Sequence, residues 1–222
     1  MDIGAKPKRE LTSRQVLLAI TVQAVLLTAL GIGIWHFTDR PFDRFLVPQW
    51  ASVVRGFALG GAFIAVAATA FYGFPRFSEK MVRLQSETYR FLGGRLSFAA
   101  FVWISICAGV SEEAQFRAGL QTLLTDYLGA FAGILLSSIV FALIHLSKPI
   151  ITALLVGISI VFGVIYWLTN DLLLVMIGHA VYDVFALAYL QREMKRLGLP
   201  EDTEASDADP QDTGENASAD NR

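Results

Sequence analysis

The sequence predicts an all-α protein, a polytopic transmembrane helical bundle of about six spans plus an interfacial amphipathic helix. Three observations carry that expectation. The 222 residues are 54% hydrophobic and only 17% charged, with mean hydropathy +0.51, more apolar than a soluble domain needs for its core. Apolar runs of spanning length recur along the chain, parted by short polar connectors. Basic residues fall unevenly between alternate connectors. With seven prolines and no repeat of solenoid period, neither a low-complexity body nor a repeat array is expected.

Residues 1–14 form a polar, basic arm, and an apolar run from Arg14-Gln15 to Phe37 is the first span. It is too long for a signal-peptide core and lacks a convincing small-residue cleavage site, so it is expected to stay. Asp39-Arg40-Pro41 through Pro48 makes a connector, with Trp35, His36 and Trp50 at its edges, where amphipathic rings favour the interface. The second span runs from Ala51 to Phe74, with Gly56, Gly60 and Gly61 suited to close helix contact and Arg55 snorkelling at its outer end. Over 75–95, Phe77, Met81, Leu84, Tyr89 and Phe91 interleave with Arg76, Lys80, Arg83, Arg90 and Arg95, the pattern of an interfacial helix ended by Gly93-Gly94.

A long apolar segment, 96–128, exceeds one straight span, and a break is expected at Ala108-Gly109-Val110 with Ser111 as the N-cap of the helix that follows. The fourth span is Ala130 to Leu146, the fifth Ile150 to Leu168, and Asn170-Asp171 turns into the sixth, Leu172 to Leu190. With the N-terminus inside, 13 lysines and arginines before the acidic tail lie on the inner side against Arg40 and Arg44 outside. Both termini are therefore expected in the cytoplasm, in a multi-pass protein of the plasma (inner) membrane. Residues 201–222 hold eight acids and one base, leaving 17 bases and 12 acids before them. The tail, 198–222, is acidic and expected to be disordered. The lone Cys107 excludes an internal disulfide and reads as a small core residue.

The chemistry centres on Ser111-Glu112-Glu113-Ala114-Gln115-Phe116-Arg117, three charged side chains within an apolar run. Each costs about 2.5–3.5 kcal/mol or more near a bilayer centre, so partners, water or a task are implied. Glu113 and Arg117 stand four apart with the acid first, the better order for an intrahelical pair, which leaves Glu112 without that partner. His145 and His179 lie in later apolar spans. Phe141 is one turn from His145 and can wall its pocket, and Asp183 is one turn from His179 and can fix its tautomer or hold its charge. Six ionisable groups from three segments can thus face one chamber.

The ordered set Glu112-Glu113-x-x-x-Arg117, Phe141-x-x-x-His145 and His179-x-x-x-Asp183 resembles the CAAX protease and bacteriocin-processing (CPBP) family of intramembrane proteases, which includes the type 2 CAAX prenyl endopeptidases. The resemblance covers about residues 96–190. It implies a protease core over 96–192, preceded by two spans and the interfacial helix over 15–95. It further implies a glutamate-dependent endopeptidase: Glu112 takes a proton from water, and His145, His179 and Asp183 stabilise the oxyanion. Glu113, Arg117 and Phe141 support them. The family's third motif often ends in Asn, so Asp183 would act protonated or by orienting His179. The common glycine after the arginine is here Ala118, followed by Gly119.

The implied substrate is a membrane-associated peptide or protein, such as a CAAX-type C-terminal tail or a peptide precursor. No cofactor and no nucleic-acid partner are expected. Two alternatives stay open. Glu112, His145 and His179 could hold a divalent metal such as zinc, assembled across spans because no His-Glu-x-x-His pair exists. The chain could also be a non-catalytic membrane binding or immunity protein. Counting at ~1.5 Å per residue puts Glu112 deep in the bilayer while His145 falls at the inner end of its span. That mismatch requires a tilted or re-entrant helix, or a turn at Ser147-Lys148-Pro149 that dips into a wet cavity.

Overall fold

A computed structural model describes residues 12–92 and 96–199. The basic arm through residue 11, the helix stop at Gly93-Gly94 with Arg95, and the acidic tail from residue 200 lie outside the described residues.

Helix α1, Ser13–Phe37, opens on a capping box. Thr12 Oγ1 accepts from the Gln15 N–H at 3.3 Å, and Gln15 Oε1 accepts from the Thr12 N–H at 2.9 Å. A one-turn 3₁₀ helix, Phe42–Arg44, lies in the connector to α2, Trp50–Gly73. Pro75 starts α3, Pro75–Ser86, at a position that needs no N–H. The helix expected at the interface is shorter than expected, because the chain leaves it at Ser86 and re-forms only a 3₁₀ turn at Arg90–Leu92.

Helix α4, Phe98–Glu113, continues without interruption into a π-helical segment, Ala114–Gln121, and then into α5, Thr122–Leu128. The break expected at Ala108-Gly109-Val110 is absent, and Ser111 is a buried residue inside α4 rather than an N-cap. Gly109 serves proximity instead: a Cβ there would lie 2.7 Å from the Met176 carbonyl oxygen and 2.9 Å from the Ala180 nitrogen. The backbone departs from α geometry five residues later, with Thr122 Oγ1 donating to the Arg117 carbonyl at 2.9 Å in the widened turn.

Gly129, at φ +81°, reverses the chain into α6, Ala130–Ile144, followed by α7, Pro149–Thr169, and α8, Leu172–Arg196. Asp171 Oδ1 accepts from the Leu174 N–H at 3.1 Å and so caps α8, while Oδ2 holds Arg55 at 3.0 Å. Arg40 grips Asp126 at 2.6 Å in the same manner. Arg55 is thus paired rather than simply snorkelling.

Helix α8 is the centre of the bundle, with α2 on one side and α4 on the other. Gly56 and Gly60 of α2 admit Ile177 and Val181 of α8, whereas Gly61 faces open space and makes none of the contact expected of it. On the far side of α4, Gly31 of α1 lies against Gly119 of the π segment. The α6–α7 hairpin closes the other flank. Lipid supplies no hydrophobic drive between such helices, so these glycine contacts stabilise through close packing.

Among the described residues four helices, α1, α2, α7 and α8, are long and apolar enough to cross a membrane, and α6 is a shorter apolar helix of 15 residues. Exposed Leu18, Leu26, Val66 and Leu168 give these spans an apolar outer surface. The molecule is an all-α, multi-pass membrane protein. Cys107 is buried and unpaired by any disulfide, as a core residue should be.

Candidate active site

The last turn of α4 presents Glu112 and Glu113, the π segment Arg117, the end of α6 His145, and α8 His179 and Asp183. Glu113 is the hub. Its Oε2 lies 3.0 Å from Arg117 Nε, an ion pair without hydrogen-bond alignment. Its Oε1 accepts from His179 Nδ1 at 2.8 Å. Both members of the Glu113–Arg117 pair are sealed, with side-chain exposures of 0% and 1%. Bare charges in such a place would cost several kcal/mol each, which explains why the acid and base come together. The Arg117 guanidinium also lies over the Phe141 ring, 5.6 Å from its centroid.

Because a carboxylate only accepts, the bond to Glu113 puts a proton on His179 Nδ1 and turns Nε2 toward two further acids. Asp183 Oδ2 stands 3.5 Å from Nε2 and Glu112 Oε2 stands 3.8 Å from it. Of the two parts expected of Asp183, fixing the tautomer falls to Glu113, while its place beside the ring, one turn along α8, is as the spacing had it. Glu113, from another helix, orients the ring, while Asp183 shares Nε2 with Glu112 at longer range. Glu112 and Asp183 keep side-chain exposures of 18% and 23%, so the charges at Nε2 are reachable where those at Nδ1 are not.

His145 caps α6, and its Nδ1 donates to the Phe141 carbonyl at 2.7 Å. A carbonyl cannot donate, so Nδ1 carries the hydrogen and Nε2 is left for the chamber. The Phe141 ring stands 4.7 Å from the His145 ring and 5.1 Å, edge-on, from Phe116. The hairpin through Gly129 therefore lays the end of α6 beside the start of the π segment, and His145 comes within electrostatic reach of Glu112. The end of α6 and its turn thus lie beside the segment that carries the acids, whatever their count along the chain. Leu146, at φ +48° in that turn, is left-handed, a strained conformation for a residue with a Cβ.

Two residues were missed by sequence reasoning. Phe162 of α7 sets its ring 5.5 Å from His179, a contact between segments that no spacing announces. Tyr89, beyond the end of α3, packs against the cluster that includes Leu187 and Leu190 of α8. Burial, together with the negative charges of Asp183 and Glu112, pushes its phenol up, so the hydroxyl stays protonated and able to donate.

The metal alternative finds no support in the donor arrangement. The Glu113 bond occupies only Nδ1 of His179 and leaves Nε2 able to ligate, but among the described residues no three His, Cys, Asp or Glu side chains converge as a metal site requires. The residues present do not fit a zinc ion held by Glu112, His145 and His179.

The fold and this carboxylate–histidine centre define a class, that of helical membrane proteins with polar chemistry held inside the bundle. Residues 94–185 match the family described as Type II CAAX prenyl endopeptidase Rce1-like, and this stretch is a CPBP domain of that family of intramembrane proteases. No curated protein and no solved structure matches the chain.

Proposed function

We propose that the chain is an intramembrane endopeptidase that hydrolyses a peptide bond of a membrane-associated substrate through water activated by Glu112. The observation that carries the reading is the division of labour between adjacent acids. Glu113 is sealed against Arg117 and His179 Nδ1, whereas Glu112 is partly open, 3.8 Å from His179 Nε2. A carboxylate committed to an ion pair holds geometry; one that is not so committed can exchange a proton.

In this mechanism the Glu112 carboxylate takes a proton from water as the water oxygen attacks the scissile carbonyl carbon. The carbonyl electron pair moves to oxygen, and the oxyanion is met by the imidazoles of His179 and His145. Collapse breaks the C–N bond, and Glu112 returns its proton to the leaving nitrogen. Asp183 serves by steadying His179 from the Nε2 side, and Phe141 with Phe116 walls the approach to His145. The protease core spans 96–192, within a six-span topology that counts α4–π–α5 as one crossing and α6 as another. Both termini face the cytoplasm, and the substrate is a CAAX-type tail or peptide precursor presented from the membrane.

The test is quantitative mass spectrometry of peptide termini in host cells carrying the native chain or Glu112→Ala at equal protein level. Loss of a defined set of termini with accumulation of uncut precursors, reproduced with purified protein, is the expected result. If no terminus changes, while deletion of the whole protein has a phenotype that Glu112→Ala lacks, the catalytic reading fails and a binding role takes its place.

A further inference from the structure

Helix α3 packs only one face. Ser78, Met81, Val82 and Ser86 are buried, and Ser78 Oγ shares a hydrogen bond of 2.7 Å with the Tyr189 hydroxyl on α8. The other face carries a surface cleft of about 390 Å³ lined by Arg76, Glu79, Lys80, Arg83 and Leu84. Within it Glu79 neutralises Arg83, at 2.9 Å. No ion pair among the described residues involves Arg76 or Lys80.

We propose that this cleft binds the phosphate headgroup of an anionic glycerophospholipid, with Arg76 and Lys80 as the phosphate donors and Arg83, oriented by Glu79, completing the site. Three arguments select that occupant. Helix α3 begins two residues after the 24-residue apolar helix α2 ends, so it lies at the depth of headgroups. Phe74 and Phe77 are exposed at its start and Leu84 lines the cleft, giving an apolar lip where acyl chains begin. The unpaired positive charge is complementary to a net-negative headgroup and repels the choline of a zwitterionic one. The bond from Ser78 to Tyr189 links the site to α8 but does not require the protease reading, so either can fail alone.

The experiment uses the full chain purified in detergent, titrated with phosphatidylglycerol or phosphatidylcholine and followed by thermal unfolding and native mass spectrometry. Phosphatidylglycerol is expected to raise Tm by roughly 2–4 °C and to remain bound, with phosphatidylcholine giving less than half the shift. Arg76→Gln/Lys80→Gln/Arg83→Gln should weaken its retention at least about tenfold, whereas Arg44→Gln on the distant connector should not. The single variants Arg76→Gln and Lys80→Gln, each expected to weaken retention, keep the test readable should the triple variant misfold. Equal responses to the two lipids, unchanged retention by the variants, or a full shift from glycerol phosphate alone would overturn the proposal. So would a phosphatidylglycerol response that appears only once residues 200–222 are removed, which would assign the cleft to the chain's own acidic tail.

Discussion

Two neighbouring glutamates of one helix do different work because only one of them is sealed. Glu113→Ala would strand a fully buried guanidinium and leave His179 Nδ1 unbonded, and is expected to cost about 3–5 kcal/mol. The double change Glu113→Gln/Arg117→Met should cost less, because it removes both charges together. Thermal unfolding in detergent checks both, and equal losses would mean the pair is not the reason for the cost. Glu112→Gln should instead spare the fold, moving Tm by less than about 4 °C, while lowering kcat/KM roughly 10²–10⁴-fold on a cleaved peptide. A Tm collapse in this variant would make Glu112 structural. The identities of Glu112, Glu113, Arg117, His145 and His179 were legible as charges out of place in apolar runs. The partner of His179 Nδ1 was not, since spacing along α8 points to Asp183 whereas the hydrogen bond comes from α4.

At the scale of elements, the boundaries of α1, α2, α6, α7 and α8 follow the apolar runs within a few residues, because caps and breakers such as Thr12, Pro75, Gly129 and Asp171 mark them. The α4–π–α5 rod was misread for a physical reason. Gly109 suggests a break in isolation, yet here it lets α8 approach the α4 backbone. Nothing in the sequence pattern marks the π segment, in which seven of eight residues are buried because α1, α4, α6 and α8 all press upon it. Gly109→Ala is therefore expected to destabilise by about 1–3 kcal/mol and to depress cleavage by displacing the helix that carries His179. Gly61→Ala, facing open space, should be neutral or stabilise by up to about 1 kcal/mol. Thermal unfolding of the two variants side by side decides the matter, and similar effects would refute the packing role of Gly109.

For the whole molecule, the ion pairs Arg40–Asp126 and Arg55–Asp171 tie together connectors expected on one side of the membrane, opposite the basic face of α3. Because Cys107 is buried, single cysteines elsewhere can report orientation against a quiet background. An impermeant maleimide applied to intact cells should label Arg44→Cys and leave Ser206→Cys untouched until the membrane is opened. The reverse pattern would invert the topology and put the candidate lipid cleft on the outer leaflet.

Composition and periodicity by themselves determined that this is a helical membrane protein. They also marked which side chains are too polar for lipid, because transfer energies are properties of single residues and short runs. Only the tertiary structure decided how those charges are shared: which glutamate is sealed, which nitrogen of His179 is held, how the end of α6 comes to lie beside the segment that carries the acids, and that Tyr89 and Phe162 border the centre. Such pairings depend on distances between helices, and these are set by where glycines permit close approach and where a π turn redirects the backbone.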